Sequence, residues 1–305
     1  MKGSSAIIGA RPASGDRPSI TYRLAGDRAV LVGYGEMTFD LRLNFFVLSV
    51  DAALRDEPIA GVVETAPGFR SMLVTYDPRR LTVSRLVEQL ESAHDGLRAQ
   101  RDVTIPSRRI RLPVAFDDSQ CTQAVARYRH SIRDDAPNCR GNTNIDYTVA
   151  YNGLESREQL YESVLATDQW AAFIGFFPGL PFLFPLDPRH AVTAPKYNPT
   201  RTWTAEGAVG LGGPCWSIYP VESAGGYQLV GRTLPVYDLA ARNAVFRDNP
   251  LLLRAGDRVL FHRVGEDELL AARNDVHADR YVYDVEAGSF DVGAHIAWSA
   301  GVAAD

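Results

Sequence analysis

Lysine is scarce in this chain. The 32 basic residues among 305 are 30 arginines and two lysines, Lys2 and Lys196. Lys2 stands in the leading tail, so Lys196 is the one lysine in the body of the sequence. A compact ammonium with a tunable pKa can do chemistry that a guanidinium cannot; retention by chance in an arginine-rich chain is the other reading. Near it stand Asp187, His190, Tyr197, Asn198, Tyr227, Gln228 and Arg232. The run Lys196-Tyr197-Asn198 can bind and polarise a carbonyl or carboxylate, or it can be a surface loop. Arg232 is the best anion anchor, because its fork offers a carboxylate two parallel hydrogen bonds. Asp187 and His190 straddle Pro188-Arg189, where a carboxylate can also simply cap the turn. Cys215 and Trp216 read as core. No nucleophile–base pair is visible, so a covalent mechanism has no support.

The elements that must position these groups lie in Phe173 to Asp238. Six of the 18 prolines fall between Pro178 and Pro199, and seven of the 25 glycines between Gly207 and Gly231. Helices do not tolerate that punctuation, so the stretch reads as short strands joined by shaped turns. The turn at Glu222 to Gln228 has glycines that either let a ligand approach the backbone or make a hairpin corner. Upstream, Arg108–Phe116 alternates as a half-buried strand. Ser156 and Gln159 form a capping box for a helix with Leu160 and Val164 inward. Downstream, Arg258–Val264 reads as a strand, Asp267–Arg273 as a helix and Tyr281–Val285 as a last strand. Many short strands with glycine corners predict a closed or nearly closed β-barrel over 106–300.

Residues 20–105 read as a separate α/β module. Strands at Tyr22–Leu24 and Ala29–Val32 precede a helix carrying Leu41, Phe45, Leu48 and Ala52, with Thr38 or Asp40 as its cap. A strand pair around Pro67-Gly68 and a helix through Val83, Leu86, Val87 and Leu90 follow. The fold class is therefore α+β, with helices on one face of a mainly antiparallel sheet. Met1 to Ser19 reads as a disordered leader without a secretory signal.

Composition narrows the function. A net charge of −5 argues against a nucleic-acid or anionic-membrane surface. Cys121, Cys139 and Cys215 are too far apart for a disulfide framework or zinc pattern, which favours a reducing, cytoplasmic setting. The scattered histidines offer no metal site. There is no phosphate-binding lysine loop, no GxSxG elbow, no HExxH and no lysine flanked by methionines for biotinylation. Any step that uses ATP belongs to another chain or domain.

The runs GFFPGLPFL (175–183), LDPRH (186–190), KYNPTRTWT (196–204), VGLGG (209–213) and IYPVESAGGYQLVGRT (218–233) resemble one family. It is the family of allophanate hydrolase subunit 1, which includes half of the carboxyltransferase region of urea carboxylase, the B subunit of 5-oxoprolinase and the KipI-type kinase inhibitor. KYNPTRTWT is similar to the urea carboxylase pattern, whereas GFFPGLPFL follows the oxoprolinase and KipI pattern. The resemblance implies a cyclophilin-like barrel after the first domain. It implies a chain inactive without a second carboxyltransferase half, similar to allophanate hydrolase subunit 2. Biotin and ATP would be supplied by partner chains such as a biotin carboxylase or a 5-oxoprolinase subunit. On this resemblance Lys196 and Arg232 are expected to stabilise a carboxylate and developing charge, and Tyr197, Asn198, Tyr227, Gln228 and Asp187 to bind the acceptor. Urea or a urea-like amide is the expected acceptor. The alternatives are ATP-dependent opening of 5-oxoproline and non-catalytic restraint of a kinase.

Overall fold

A computed structural model describes residues 6–302. The chain divides into two compact units, one within Met1–Pro106 and Ser289–Asp305, the other Ser107–Gly288.

The first unit is built on β1 (Ile7–Arg11), β2 (Ile20–Leu24), β3 (Ala29–Tyr34), β4 (Val62–Pro67) and β5 (Ser71–Tyr76), with α1 (Leu41–Asp56) and α2 (Val83–Gly96). The sheet order is β1-β2-β3-β5-β4, with antiparallel neighbours throughout. Alternation puts Tyr22, Val30, Val32, Met72 and Val74 on one face, where Phe46, Val50, Leu86 and Leu90 of the helices cover them. Of the two caps expected for α1, Asp40 forms, accepting from the backbone N–H of Arg42 at 2.9 Å, and Thr82 caps α2 by accepting from that of Arg85 at 3.3 Å.

Two boundaries need correction. Residues 7–11, read as part of a disordered leader, form β1, because Ile7 and Gly9 to Arg11 pair with β2 and extend the sheet edge; Met1 to Ser5 lie outside the described residues. The last segment belongs with the first unit rather than the barrel. There β6 (Thr104–Pro106) pairs with a later strand, Ser289–Asp291, and Phe290 packs 5.4 Å from Phe45.

The second unit is the barrel. Its strands are β7 (Arg109–Phe116), β8 (Gln169–Ile174), β9 (Pro181–Pro185), β10 (Ala208–Gly212), β11 (Cys215–Ile218), β12 (Gln228–Arg232) and β13 (Arg258–Arg263). They run in the order β12-β10-β11-β9-β8-β13-β7, and β12 pairs with β7 to close the ring. Leu112, Val114, Leu183, Val209, Leu211, Trp216, Val230 and Phe261 belong to its buried core. The predicted closed barrel is thus present, with seven strands. Three helices, α3 (Ser119–Ser131), α4 (Ile145–Tyr151) and α5 (Arg157–Leu165), lie between β7 and β8, and α6 (Glu266–His277) follows β13. The Ser156 cap of α5 accepts from the N–H of Gln159, while Gln159 Oε1 accepts from Glu155 rather than from the cap residue itself.

Candidate functional site

Strand alternation separates Trp216 and Ile218, which join the barrel core, from Ser217, which faces the other way and pairs with Phe182 of β9. Over this outer face lies a cavity of about 290 Å³ walled by Phe176, Leu180, Phe182, Tyr219 and Tyr227, with Lys196, Thr200 and Ser217 as its polar side chains.

The glycines of VGLGG and ESAGGYQ shape this cavity by admitting aromatic rings. A Cβ on Gly212 would collide with the Tyr227 ring, and one on Gly225 with the Tyr219 hydroxyl. Any larger residue at either position would displace a wall of the cavity. The turn then grips the loop that carries Lys196. Tyr197 N–H donates to Gly226 O at 2.7 Å, and Arg201 and Gly225 exchange both backbone hydrogen bonds at 3.0 Å.

The structure distributes the seven sequence-predicted residues unevenly. Lys196 and Tyr227 meet at the cavity, with the ammonium nitrogen 5.2 Å from the ring centroid, a cation–π arrangement. Gln228 is buried beneath the loop: it accepts from Asn138 at 3.0 Å and donates to the carbonyl of Pro195, next to Lys196, at 2.6 Å. Tyr197 is buried as well. Its hydroxyl accepts from Asn144 at 2.6 Å and from the Cys139 thiol at 3.4 Å, and burial pushes its pKa up. Asn198 is exposed and does not line the cavity.

Asp187 accepts from the backbone of Arg189 at 3.0 Å and caps the 188–190 turn, the simpler of its two readings. The Arg189 side chain holds its carboxyl below the usual carboxylate range. Arg232 does not line this cavity: its Nε donates to the carbonyl of Glu206 at 2.9 Å. The structure thus brings Lys196 and Tyr227 together at this cavity, while β12 turns Gln228 and Arg232 to backbone partners at its two ends.

Three contributors escaped the sequence reading: Ser217, Tyr219 and Arg201. Arg201 is only 1% exposed, and among the described residues it has no carboxylate partner. Its guanidinium lies 4.4 Å from the centroid of the Tyr197 ring and donates to Tyr227 O at 2.6 Å, Thr204 Oγ1 at 3.2 Å and Tyr219 Oη at 3.5 Å. The available signal for Arg201 is its place as the one arginine of the motif KYNPTRTWT. Cys121, Cys139 and Cys215 are buried free thiols whose pKa values burial raises, which makes them poor nucleophiles. Among the described residues, no cluster of His, Cys, Asp and Glu is placed to hold a metal ion, and no helix is long and apolar enough to cross a membrane.

Residues 20–247 match the family described as carboxyltransferase domain, subdomain C and D. The chain belongs to that family. It is similar to urea amidolyase of Saccharomyces cerevisiae, 36% identical over 285 residues that cover 92% of this chain and 15% of that protein. It is also similar to the B subunit of 5-oxoprolinase from Bacillus subtilis, 27% identical over 257 residues that cover 82% of this chain and 95% of that protein. The crystal structure of Kluyveromyces lactis urea carboxylase superposes with a TM-score of 0.88 at 34% identity, over 99% of this chain and 27% of that one. The chain is thus homologous to the carboxyltransferase region of urea carboxylase and spans about 15% of the urea amidolyase relatives it matches.

Proposed function

We propose that the chain is one half of a carboxyltransferase of the urea carboxylase kind, acting on urea or a urea-like amide together with a second carboxyltransferase half. The observation that carries this reading is the match to urea carboxylase over 99% of the chain, at 34% identity and a TM-score of 0.88. The carboxyl group would arrive on a biotin that another domain carries and charges with ATP. This chain's contribution is binding and electrostatics. Lys196 neutralises the carboxyl group at the cavity mouth and Tyr227 presents one wall to the acceptor. Gln228 and Tyr197 hold the Lys196 loop in place from beneath. Arg232 acts on the carbonyl of Glu206 rather than on the cavity, and Asp187 acts by capping the 188–190 turn.

Supplying the chain in trans to a urea carboxylase that lacks its corresponding segment tests the proposal. Restored carboxylation of urea is the expected result; no restoration by a folded chain would overturn it. A second reading has its own observation, the match to 95% of the B subunit of a 5-oxoprolinase. ATP-dependent opening of 5-oxoproline, on adding the other oxoprolinase subunits, would replace the first reading with the second.

A further inference from the structure

The cavity has a charge and hydrogen-bonding preference of its own. Its lining contains Lys196 and no Asp or Glu. Directly behind Tyr219 and Tyr227 lies Arg201, a second cation, buried and without a carboxylate partner among the described residues. A buried guanidinium left unneutralised is costly. It persists here because the Tyr197 ring, a carbonyl and two hydroxyls solvate it, and its field falls on the cavity.

Two hydroxyls there point to the same kind of ligand. The Tyr219 oxygen accepts from Arg201 Nη2 at 3.5 Å and from the backbone N–H of Tyr227 at 3.4 Å. Its acceptor side is thus engaged, which leaves its own O–H to donate. Ser217 is 1% exposed, and its Oγ has no partner among the described residues. Of the buried polar side-chain atoms in that condition, Gln89 Oε1, Gln169 Oε1, Trp216 Nε1 and Ser217 Oγ, only the serine's belongs to a residue that lines this cavity. A buried hydroxyl without a partner calls for a ligand or solvent oxygen.

We infer that this cavity recognises an anionic carboxyl group through the Lys196 ammonium and the Ser217 and Tyr219 hydroxyls, with Arg201 as the positioning residue that gives it its preference for negative charge. The inference rests on the reading of this cavity as the working site, and it sharpens that reading. A neutral amide brings N–H groups that need acceptors, and no side-chain carboxylate lines the cavity to provide one. The carboxylated form of a urea-like molecule, or the carboxyl group in transit to it, fits better than the uncharged acceptor. The aromatic walls take the planar faces of such a group.

The test is ligand-observed NMR titration of the full chain with benzoate and with benzamide, which share a ring and differ in charge. Wild type is expected to bind benzoate about tenfold more tightly than benzamide, and Ser217→Ala or Tyr219→Phe to weaken benzoate roughly three- to tenfold. Arg201→Met is expected to lower the benzoate-to-benzamide ratio, and Arg201→Lys to restore part of it. Loss of folding would weaken both probes alike, so the ratio separates charge from structure. If Arg201→Met fails to fold, the Ser217 and Tyr219 variants decide. Equal binding of the two probes, no binding of either, or benzoate affinity unchanged in both hydroxyl variants would overturn the inference. Carboxyl transfer is scored separately. Benzoate selectivity without transfer would sink the enzymatic reading alone, and transfer without selectivity would sink this inference alone.

Discussion

Two arginines are buried in the barrel unit, and their surroundings differ in kind. Arg273 of α6, 5% exposed, donates to Glu206 Oε2 at 2.5 Å and to the carbonyl of Thr233 at 2.5 Å. Arg201, 1% exposed, has a ring, a carbonyl and two hydroxyls but no carboxylate among the described residues. The first region neutralises its charge internally and is finished. The second leaves positive charge facing a cavity that also holds an unpartnered serine hydroxyl. Internal neutralisation marks structure, and a charge left open beside a cavity marks a place for a ligand.

The sharpest way to break this comparison is to make the first region resemble the second. Glu206→Ala should strand the Arg273 guanidinium and lower unfolding free energy by about 3–5 kcal/mol, read from the denaturant midpoint. A loss no larger than that of an ordinary surface substitution would mean that the pairing of Arg273 does not matter.

The first unit supplies a third case, a buried titratable group kept neutral. His94 lies between two tyrosine hydroxyls, Tyr22 on Nδ1 and Tyr34 on Nε2, each at 3.0 Å. Burial first, and the positive charge of Arg11 second, push its pKa down from 6.5 to about 4. Because the folded form resists protonation, the unfolded chain binds more protons between these values. Stability present above about pH 6.5 should therefore be lost as pH falls toward 4, by about 3 kcal/mol in all. Thermal unfolding across that window checks this, and His94→Gln should flatten the slope.

Smaller effects belong to the cavity. Arg201→Met removes hydrogen bonds and a buried charge together, so the two partly cancel and the net change should stay within about 2 kcal/mol. A loss as large as that of Glu206→Ala would place Arg201 among the internally compensated groups and erase the contrast. Ser217→Ala should alter stability by no more than about 0.5 kcal/mol, because its hydroxyl makes no bond to lose.

Much of the architecture was legible because period and punctuation dictate it. The strand pair around Pro67-Gly68, the Asp40 cap and the Ser156 cap all appear as read. The strand at Ile7–Arg11 was not legible, since five residues among prolines and glycines pair only because β2 offers an edge. At the site, Lys196 stood out by rarity and Tyr227 by its glycines. Tyr197, Gln228 and Arg232 look equally chemical in sequence, yet hydrogen bonding to Asn144, Pro195 and Glu206 consumes them. Ser217 carries no local signal, and Arg201 only its place as the one arginine of KYNPTRTWT. Their character comes from partners absent in the fold, which no linear pattern displays.

The most direct measurement is the rate of carboxyl transfer to urea by the reconstituted carboxylase with wild-type chain and with Lys196→Ala. If Lys196 is the cation at the cavity mouth, the variant should fold normally and transfer about 100-fold more slowly. A folded Lys196→Ala chain that supports transfer at the wild-type rate would contradict the assignment of the working site to this cavity.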